Sequence, residues 1–324
     1  MPSRLIAAAA ILVLAIVACS GGSDPLPASI AVGAKPWAVA VNDQTGRVYA
    51  GNEFDNTITV ADAKTRKAVA TFMGGVGPDA AAVNRTTGRV YISNLFSGDV
   101  TVVEGDKVVG AGLAGDSPWD VAVDESTNRI YVANAGQGDA GTVSIIDGTD
   151  NRLISTISGF KQPWGVIVID GTLYVADANA DSLRKVELSN NTITASVAVG
   201  ARPRGLSYDA SSNHLYVTNV EAKSVSVVDL GTFKVIATIS VGLSPQEVAV
   251  NPKRPEAYVV NTLDDTVSII DTATNTVKAT VGGVTKPWDL KVSDDGASIY
   301  IASSGSGEIN VFSPEQLASA SPAR

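Results

Sequence analysis

The sequence predicts an all-β protein, a seven-bladed β-propeller whose blades are four-stranded antiparallel sheets. One pattern recurs seven times along the 324 residues: a proline that opens a short apolar run, a turn, and a tyrosine that opens a second run. The prolines, 40 to 45 residues apart, are Pro36, Pro78, Pro118, Pro163, Pro203, Pro245 and Pro287. The tyrosines are Tyr49, Tyr91, Tyr131, Tyr174, Tyr216, Tyr258 and Tyr300. A period of about 40 residues with several short strands per unit is typical of a propeller blade.

Each repeat contains four runs rich in β-branched or aromatic residues, separated by turn residues. In the first repeat these runs are 37–41, 47–52, 57–60 and 67–72. The first run of a repeat, such as Val121-Ala122-Val123, is apolar at successive positions. A strand with one wet face alternates instead, so we expect each blade to be covered on both faces by its neighbours.

The two ends of the repeat array predict how the ring closes. Residues 29–33 resemble the outer run of other repeats, such as 239–242, whereas the last repeat stops after its third run at Phe312. The N-terminal strand is therefore expected to complete the last blade and to remove an open sheet edge. An open array of seven sheets would leave the surplus strand and the missing strand unmatched.

The first residues predict export. Arg4 precedes an apolar run of 14 residues, 5–18, which is too short to be a confident membrane span and suits a secretory signal. The segment Ile16-Val17-Ala18-Cys19 resembles the lipobox of bacterial lipoproteins, which implies cleavage before Cys19 and its lipidation. An ordinary signal with an incidental cysteine is the alternative. We expect an exported protein, lipid-anchored to the cell envelope.

The chain is expected to divide into four parts. Residues 1–18 form the lipoprotein signal peptide, and residues 19–27 form a flexible polar tether. Residues 28–313 form the propeller, and residues 314–324, which have no β pattern, form a disordered tail.

The tetrad Tyr216-Val217-Thr218-Asn219, with the runs 225–229 and 267–275, resembles the YVTN-repeat β-propeller family in its bacterial lipoprotein form. The resemblance covers residues 30–312. It implies the fold and a secreted or lipid-anchored protein, but little about activity, because similar folds serve lactonases and antibiotic lyases. Asp177 and Ser303 stand where the family pattern has asparagine, so altered turn hydrogen bonding is expected there.

Composition argues against several function classes. The net charge is −9, the pI is about 4.7, and no basic run exceeds two residues, so no nucleic-acid partner is expected. His214 is the single histidine and Cys19 the single cysteine, which leaves a histidine metal site or a Ser-His-Asp relay without partners. The sequence favours a non-enzymatic monomer, with no catalytic residue, cofactor or metal ligand assigned.

The candidate ligand-binding residues follow the repeated prolines. All four tryptophans do so directly, and charged residues occupy the same or the next position in other repeats. These residues are Trp37, Trp119, Asp120, Trp164, Arg204, Glu247, Trp288 and Asp289. In a closed propeller they ring the upper mouth of the channel, where they could hold a sugar, a ring compound or a peptide. Alternatively, each tryptophan caps its blade and fills the gap to the next one.

Three functions remain open at this point. The favoured one is a module that binds an unidentified protein or small molecule. The second, by resemblance to lactonases, is a hydrolase in which Asp120, Glu247 and Asp289 hold a divalent cation. Against this, Arg204 could neutralise these carboxylates, or they could be solvated rim charges. The third is a structural component of the cell envelope.

Overall fold

The computed structural model describes residues 29–320 of the chain, and β-strands make up nearly all of the structure. Blades 1 to 3 follow in chain order. Blade 1 is β2 (Pro36–Asn42), β3 (Arg47–Asn52), β4 (Thr57–Asp62) and β5 (Lys67–Met73). Blade 2 is β6 (Pro78–Val83), β7 (Arg89–Asn94), β8 (Asp99–Glu104) and β9 (Lys107–Leu113). Blade 3 is β10 (Pro118–Asp124), β11 (Arg129–Asn134), β12 (Gly141–Asp147) and β13 (Leu153–Phe160).

Blades 4 to 7 repeat this order, with a 3₁₀ turn Ala178–Ala180 in blade 4. Blade 4 is β14 (Pro163–Ile169), β15 (Thr172–Asp177), β16 (Ser182–Glu187) and β17 (Thr192–Ala198). Blade 5 is β18 (Pro203–Asp209), β19 (His214–Asn219), β20 (Ser224–Asp229) and β21 (Lys234–Ser240). Blade 6 is β22 (Pro245–Val250), β23 (Glu256–Asn261), β24 (Thr266–Asp271) and β25 (Thr276–Val281). Blade 7 is β26 (Pro287–Val292), β27 (Ile299–Ser303), β28 (Glu308–Phe312) and the N-terminal β1 (Ser29–Ala31).

The seven four-stranded antiparallel sheets confirm the predicted fold class. The first strand of each blade contacts the first strand of the next, and β26 contacts β2, so these strands form a closed ring around a channel. We call the upper face the side on which the first strands begin and the second strands end.

The predicted closure is also present. In blade 7, β1 pairs with β28 through Ser29↔Asn310, Ile30↔Ile309 and Ala31↔Glu308. Ile30 is fully buried and packs with Ile309 and Val311. The ends of the array are thereby joined in one sheet, and the edge of β28 is covered.

The core lies between blades, and the repeated tyrosines are part of it. All seven have buried rings. The hydroxyl of Tyr49 donates to the carbonyl of Gly105 in the next blade at 3.2 Å, and that of Tyr91 donates to the carbonyl of Gly148 at 3.3 Å. A ring packed between sheets with its hydroxyl bonded at the edge satisfies both the apolar and the polar part of tyrosine.

Residues 314–320 differ from the disordered tail that the sequence predicted. Pro314–Ala318 form a short helix, α1, with a capping box between Ser313 and Gln316. Leu317 is fully buried in the apolar cluster that contains Val281 and Ile299. The capping hydrogen bonds, the buried Pro314 and Leu317 and the ion pair of Glu315 with Arg254 order the segment, although it has no β pattern.

Several predictions concern residues outside the described range. The predicted signal peptide, the predicted tether and the predicted lipidation site Cys19 lie there, as do residues 321–324. Among residues 29–320, the structure has no helix with the length and apolarity that a membrane span requires.

Candidate functional site

A backbone irregularity shared by all blades aims side chains at the upper mouth of the channel. In each blade the pairing of the first two strands shifts register directly after the proline, as in a β-bulge. The bulged residue has no partner in the ladder, which redirects its side chain. Six of the prolines are preceded by a residue with positive φ, namely Lys35, Gly77, Ser117, Arg202, Ser244 and Lys286. The tryptophans, Arg204 and Glu247 all lie in these bulges.

The four tryptophans form two stacked pairs across neighbouring blades. The rings of Trp37 and Trp288 have centroids 4.6 Å apart and an interplanar angle of 13°. The rings of Trp119 and Trp164 are 4.9 Å apart with an angle of 19°. All four rings are partly buried. Each pair spans a blade boundary, which agrees in part with the alternative that tryptophans fill the gaps between blades.

Arg204 joins the two pairs. Its guanidinium lies 4.6 Å from the ring centroid of Trp288 and 5.2 Å from that of Trp119, while Arg202 covers Trp164 at 4.1 Å. Arg204 is 8% exposed, and it donates a hydrogen bond to the side-chain oxygen of Gln246. We call the two tryptophan pairs with Arg204 the Trp–Arg stack. It lies on the upper face. The cation–π contacts of Arg204 and Arg202 join blade 5 with blades 3, 4 and 7.

A layer of charged side chains lies directly beneath the Trp–Arg stack. The stack and this layer enclose a chamber of ≈ 20 Å³, about the space that one water molecule needs. The structure therefore brings the predicted site residues together, but it leaves no room for a larger ligand among them. The charged members of the layer are Asp79, Asp120, Glu247, Asp289, Arg204 and Lys291.

Two of the predicted acidic residues link neighbouring blades. Asp120 accepts hydrogen bonds from its neighbour Val121 N at 2.8 Å and from Val166 N of blade 4 at 2.9 Å. Asp289 accepts from Val39 N of blade 1 at 2.8 Å and from Lys291 Nζ at 3.0 Å. Because these oxygens already have donors, both carboxylates act as links at the inner ends of their blades.

Asp79 was not predicted as a site residue, yet it is the most buried carboxyl group of the layer, at 1% exposed. Neither of its oxygens accepts a hydrogen bond within the described residues, and Arg204 Nη2 lies 3.9 Å away. Burial raises the pKa of Asp79 to about 7, although the charge of Arg204 opposes the shift. Its sequence position gave a signal, since Asp79 follows Pro78 where other repeats have tryptophan.

The other acids of the layer are also under-neutralised. Burial raises the pKa of Asp120 to about 6 and that of Glu247 to about 8, against the opposing charge of Lys291. Burial by itself would lower the pKa of Lys291, but the facing carboxylates of Asp289 and Glu247 raise it above its ordinary value. Lys291 was missed by sequence analysis, because it lies inside a strand, two residues after Asp289, with no motif to mark it.

The layer does not have the arrangement of a metal centre. Within residues 29–320, no group of three or more His, Cys, Asp or Glu side chains is placed to hold a metal ion. The predicted carboxylates converge on one chamber but share it with Arg204 and Lys291. Hard cations need several free oxygens within bonding distance, and here backbone amides hold the oxygens of Asp120 and Asp289.

Exposed apolar side chains lie in upper-face loops and at the upper ends of outer strands in blades 1 and 2, a feature that sequence analysis also missed. They are Phe54, Met73, Val76, Phe96 and Leu113, and Phe54 and Phe96 are 66% and 64% exposed. We call these five side chains the apolar rim. Its loops are connected, since Gly77 N donates to Asn56 Oδ1 at 2.9 Å and Phe96 N to the Val76 carbonyl at 3.0 Å.

Comparisons with known proteins agree with the fold. The sequence model of a family described as YNCE-like β-propeller matches residues 196–317, from the end of blade 4 to α1. No curated protein matches the chain. Among solved structures, a chain of Kuenenia stuttgartiensis hydrazine synthase is similar, with a TM-score of 0.77 and 18% identity over 91% of this chain and 99% of that one. At this identity the likeness shows the fold alone. The YVTN-repeat resemblance and the lipoprotein form stay predictions.

Proposed function

We propose that this chain is a binding module without catalytic activity, which docks a protein partner on its upper face. The observation that carries this proposal is the Trp–Arg stack on that face together with the apolar rim. Tryptophan and arginine are enriched at the energetic centres of protein interfaces. Contiguous exposed apolar side chains on a soluble protein also mark interaction surfaces.

The shape of the upper mouth favours a protein over a small molecule. The chamber beneath the Trp–Arg stack has ≈ 20 Å³, whereas sites for organic ligands usually enclose ~300 Å³ or more. The indole rings of the stack are partly exposed on the upper face, with the guanidinium of Arg204 buried among them. Such a surface suits a partner that lays its own side chains across several blades.

The two alternatives have less support. A lactonase-like hydrolase requires a divalent cation bound by several free carboxylate oxygens, but backbone amides and Lys291 already occupy oxygens of Asp120 and Asp289. A structural envelope component would use its surface only to pack, and it would tolerate changes on the upper face. The experiment below separates this role from partner docking.

The expected place of action is the envelope, with Cys19 as the lipid anchor. This part of the proposal rests on the sequence segment that ends at Cys19. Replacing the cysteine, Cys19→Ala, is expected to release the protein from the membrane fraction or to leave an unprocessed precursor. Unchanged acylation and membrane retention of this variant would contradict the anchor.

Site-specific photo-crosslinking in the native host tests the docking face. A photoreactive phenylalanine at Phe96 is expected to give one discrete adduct, whereas the same probe at Thr86, in a lower-face turn, gives none. The adduct is expected to disappear when Phe54→Ser and Met73→Ser are combined with the probe. These residues are exposed, so the melting temperature should change little, consistent with surface substitutions of about ±0.5 kcal/mol each. Equal adducts from both faces, or none from Phe96, would refute docking on the upper face.

A further inference from the structure

We infer that the channel contains a second site, open to the lower face, that binds a small organic ammonium ion with Glu247 as its counter-ion. This inference does not depend on the partner proposed above. It rests on a cavity, on the charged layer that closes the cavity from above, and on the hydrogen bonds within that layer.

The cavity lies below the charged layer and has a volume of ≈ 260 Å³. We call it the lower cavity. Its walls are the first strands of the blades, and polar groups make up the larger part of the surface that faces it. Apolar residues from six different blades also line it, namely Val41, Val83, Val123, Val168, Leu206 and Val292. The volume is slightly below that of sites for drug-sized ligands, ~300–1,000 Å³, so a small amphipathic molecule suits it.

The inner end of the lower cavity is polar. Asp120, Glu247 and Lys291 line both this cavity and the small upper chamber, so they form the partition between the two. A ligand that enters from below therefore meets two carboxyl groups and one ammonium group at the inner end of the channel. A concave site at which a few polar groups converge is typical of ligand binding.

The hydrogen bonds of the partition single out Glu247. Lys291 is bonded to Asp289 at 3.0 Å, and both oxygens of Asp120 accept backbone amides. Glu247 Oε1 accepts from Val248 N at 3.1 Å, and within residues 29–320 no hydrogen bond to its second oxygen is present. This second oxygen is the acceptor that an ammonium group can use.

The charges of the whole layer point to a cation. Four carboxyl groups share Arg204 and Lys291, and the buried Asp79 accepts no hydrogen bond from any described residue. Burial raises the pKa of Glu247 and so favours its protonated form. A bound ammonium ion favours the ionised carboxylate, and binding therefore releases a proton and strengthens as the pH rises towards 8.

The lower mouth is itself acidic and only partly covered. Arg85 of blade 2 forms an ion pair with Asp294 of blade 7 at 2.8 Å, and Asp294 N donates to Asp43 of blade 1 at 2.6 Å. Arg85 and Asp294 have side chains that are each 49% exposed. Two carboxylates and one guanidinium at the mouth attract a cation more than an anion.

Calorimetric titration of the mature protein with benzylamine tests the site. Benzylamine is expected to bind with a Kd of ~1 mM or below, whereas benzyl alcohol and benzoate, which have the same ring without the positive charge, do not. Titrations in two buffers of different ionisation enthalpy at pH 7 are expected to show net proton release. No binding of benzylamine at 10-fold higher concentration, or equal binding of benzyl alcohol, would overturn the inference.

Two variants locate the binding. Glu247→Gln is expected to weaken benzylamine binding at least 10-fold and to abolish proton release, while Glu187→Gln, on the third strand of blade 4, leaves both unchanged. Val168→Phe enlarges a side chain that lines the lower cavity and is expected to block binding, so the inference stays testable if Glu247→Gln folds poorly. Unchanged affinity in both Glu247→Gln and Val168→Phe would place benzylamine elsewhere. The crosslinking of the upper face is expected to be unaffected by Val168→Phe.

Discussion

At the scale of single residues, Arg204 connects the upper face with the channel beneath it. Its planar guanidinium contacts Trp119 and Trp288, donates to Gln246 and lies 3.9 Å from Asp79. Lysine could not replace it, because a compact ammonium group lacks the planar surface that lies against two indoles. The same guanidinium lies beside the carboxyl group of Asp79, which accepts no hydrogen bond from the described residues.

Asp79 is expected to make the protein less stable as the pH rises. In the unfolded chain this carboxyl group loses its proton near 3.8, but in the folded protein it keeps the proton until about 7. Between these values the folded state binds more protons, so the free energy of unfolding contributed by Asp79 falls by up to ~1.4 kcal/mol per pH unit. Urea unfolding of Asp79→Asn between pH 4 and 8 is expected to show a shallower decline than that of the unchanged protein.

The matched control for this measurement is Asp139→Asn, which changes an exposed aspartate in the second-to-third strand loop of blade 3. It is expected to keep the full pH dependence. An identical decline in Asp79→Asn and in the unchanged protein would show that Asp79 is ionised throughout this range. Asp120 and Glu247 contribute in the same direction, since their pKa values are also raised, so a residual slope is expected in Asp79→Asn.

At the scale of strands, each second strand is tied to the third by the residue that ends it. In blade 6, Asn261 Nδ2 donates to Thr266 Oγ1 at 3.1 Å and to Ser268 Oγ at 2.9 Å. The same positions carry the same contacts in blades 1, 2, 3 and 5 with small variations. The side chain of this asparagine thus fastens the upper ends of the two strands.

The two departures from this asparagine carry compensating changes on the third strand. Asp177 accepts from Lys161 N and Gln162 N, and it pairs with Arg184, which stands where blade 6 has Ser268. In blade 7, Ser303 donates to Asn310, so the amide and the hydroxyl have exchanged strands. The altered hydrogen bonding that the sequence predicted is present. Each replaced asparagine on a second strand is accompanied by a changed residue on the third strand, Arg184 in blade 4 and Asn310 in blade 7.

Asp177 and Arg184 are therefore expected to be energetically coupled. Asp177→Asn leaves Arg184 without its carboxylate, and Arg184→Thr leaves a fully buried carboxylate without its cation, so each is expected to cost ~1–3 kcal/mol of unfolding free energy. The double variant restores the pattern of the other blades and should be more stable than the sum of the single losses predicts, by ~1 kcal/mol or more. Thermal and urea unfolding of the four proteins measure this, and strictly additive losses would argue against the pairing.

At the scale of the whole molecule, stability depends on closing the ring. The N-terminal β1 is only three residues long, yet it supplies the fourth strand of blade 7 and buries Ile30. Without it, β28 would present an unpaired edge, and unpaired edges promote association between molecules. The ring thus joins the two ends of a chain whose sheets pack mainly against the neighbouring sheets.

Two N-terminal truncations are expected to distinguish the contribution of β1 to stability from that of the segment before it. Deleting residues 20–33 removes β1 and the burial of Ile30, and it is expected to lower the unfolding free energy by ~2–5 kcal/mol or to cause aggregation. Deleting residues 20–26 leaves β1 in place and should keep the melting temperature. Identical melting curves for the two truncations would mean that β1 does not contribute to closure.

The sequence by itself determined the fold, the strand pattern, the closure by β1 and the set of residues at the upper mouth. Each follows from local features that recur about every 40 residues, namely a proline, a tyrosine and the turn residues between strands. The helix α1 was not predicted because it depends on a capping box and on tertiary contacts of Pro314, Glu315 and Leu317, which do not follow the repeat.

Only the tertiary structure decided how side chains from different blades meet. The tryptophans stack in pairs, Arg204 joins them, and Lys291 and Asp79 enter the charged layer beneath. These contacts join residues of different blades that lie far apart in the sequence, so they depend on ring closure and on the direction in which each bulge aims its side chain. A repeat pattern specifies the blade on which a residue lies, but the neighbours it acquires across the channel follow from the closed ring.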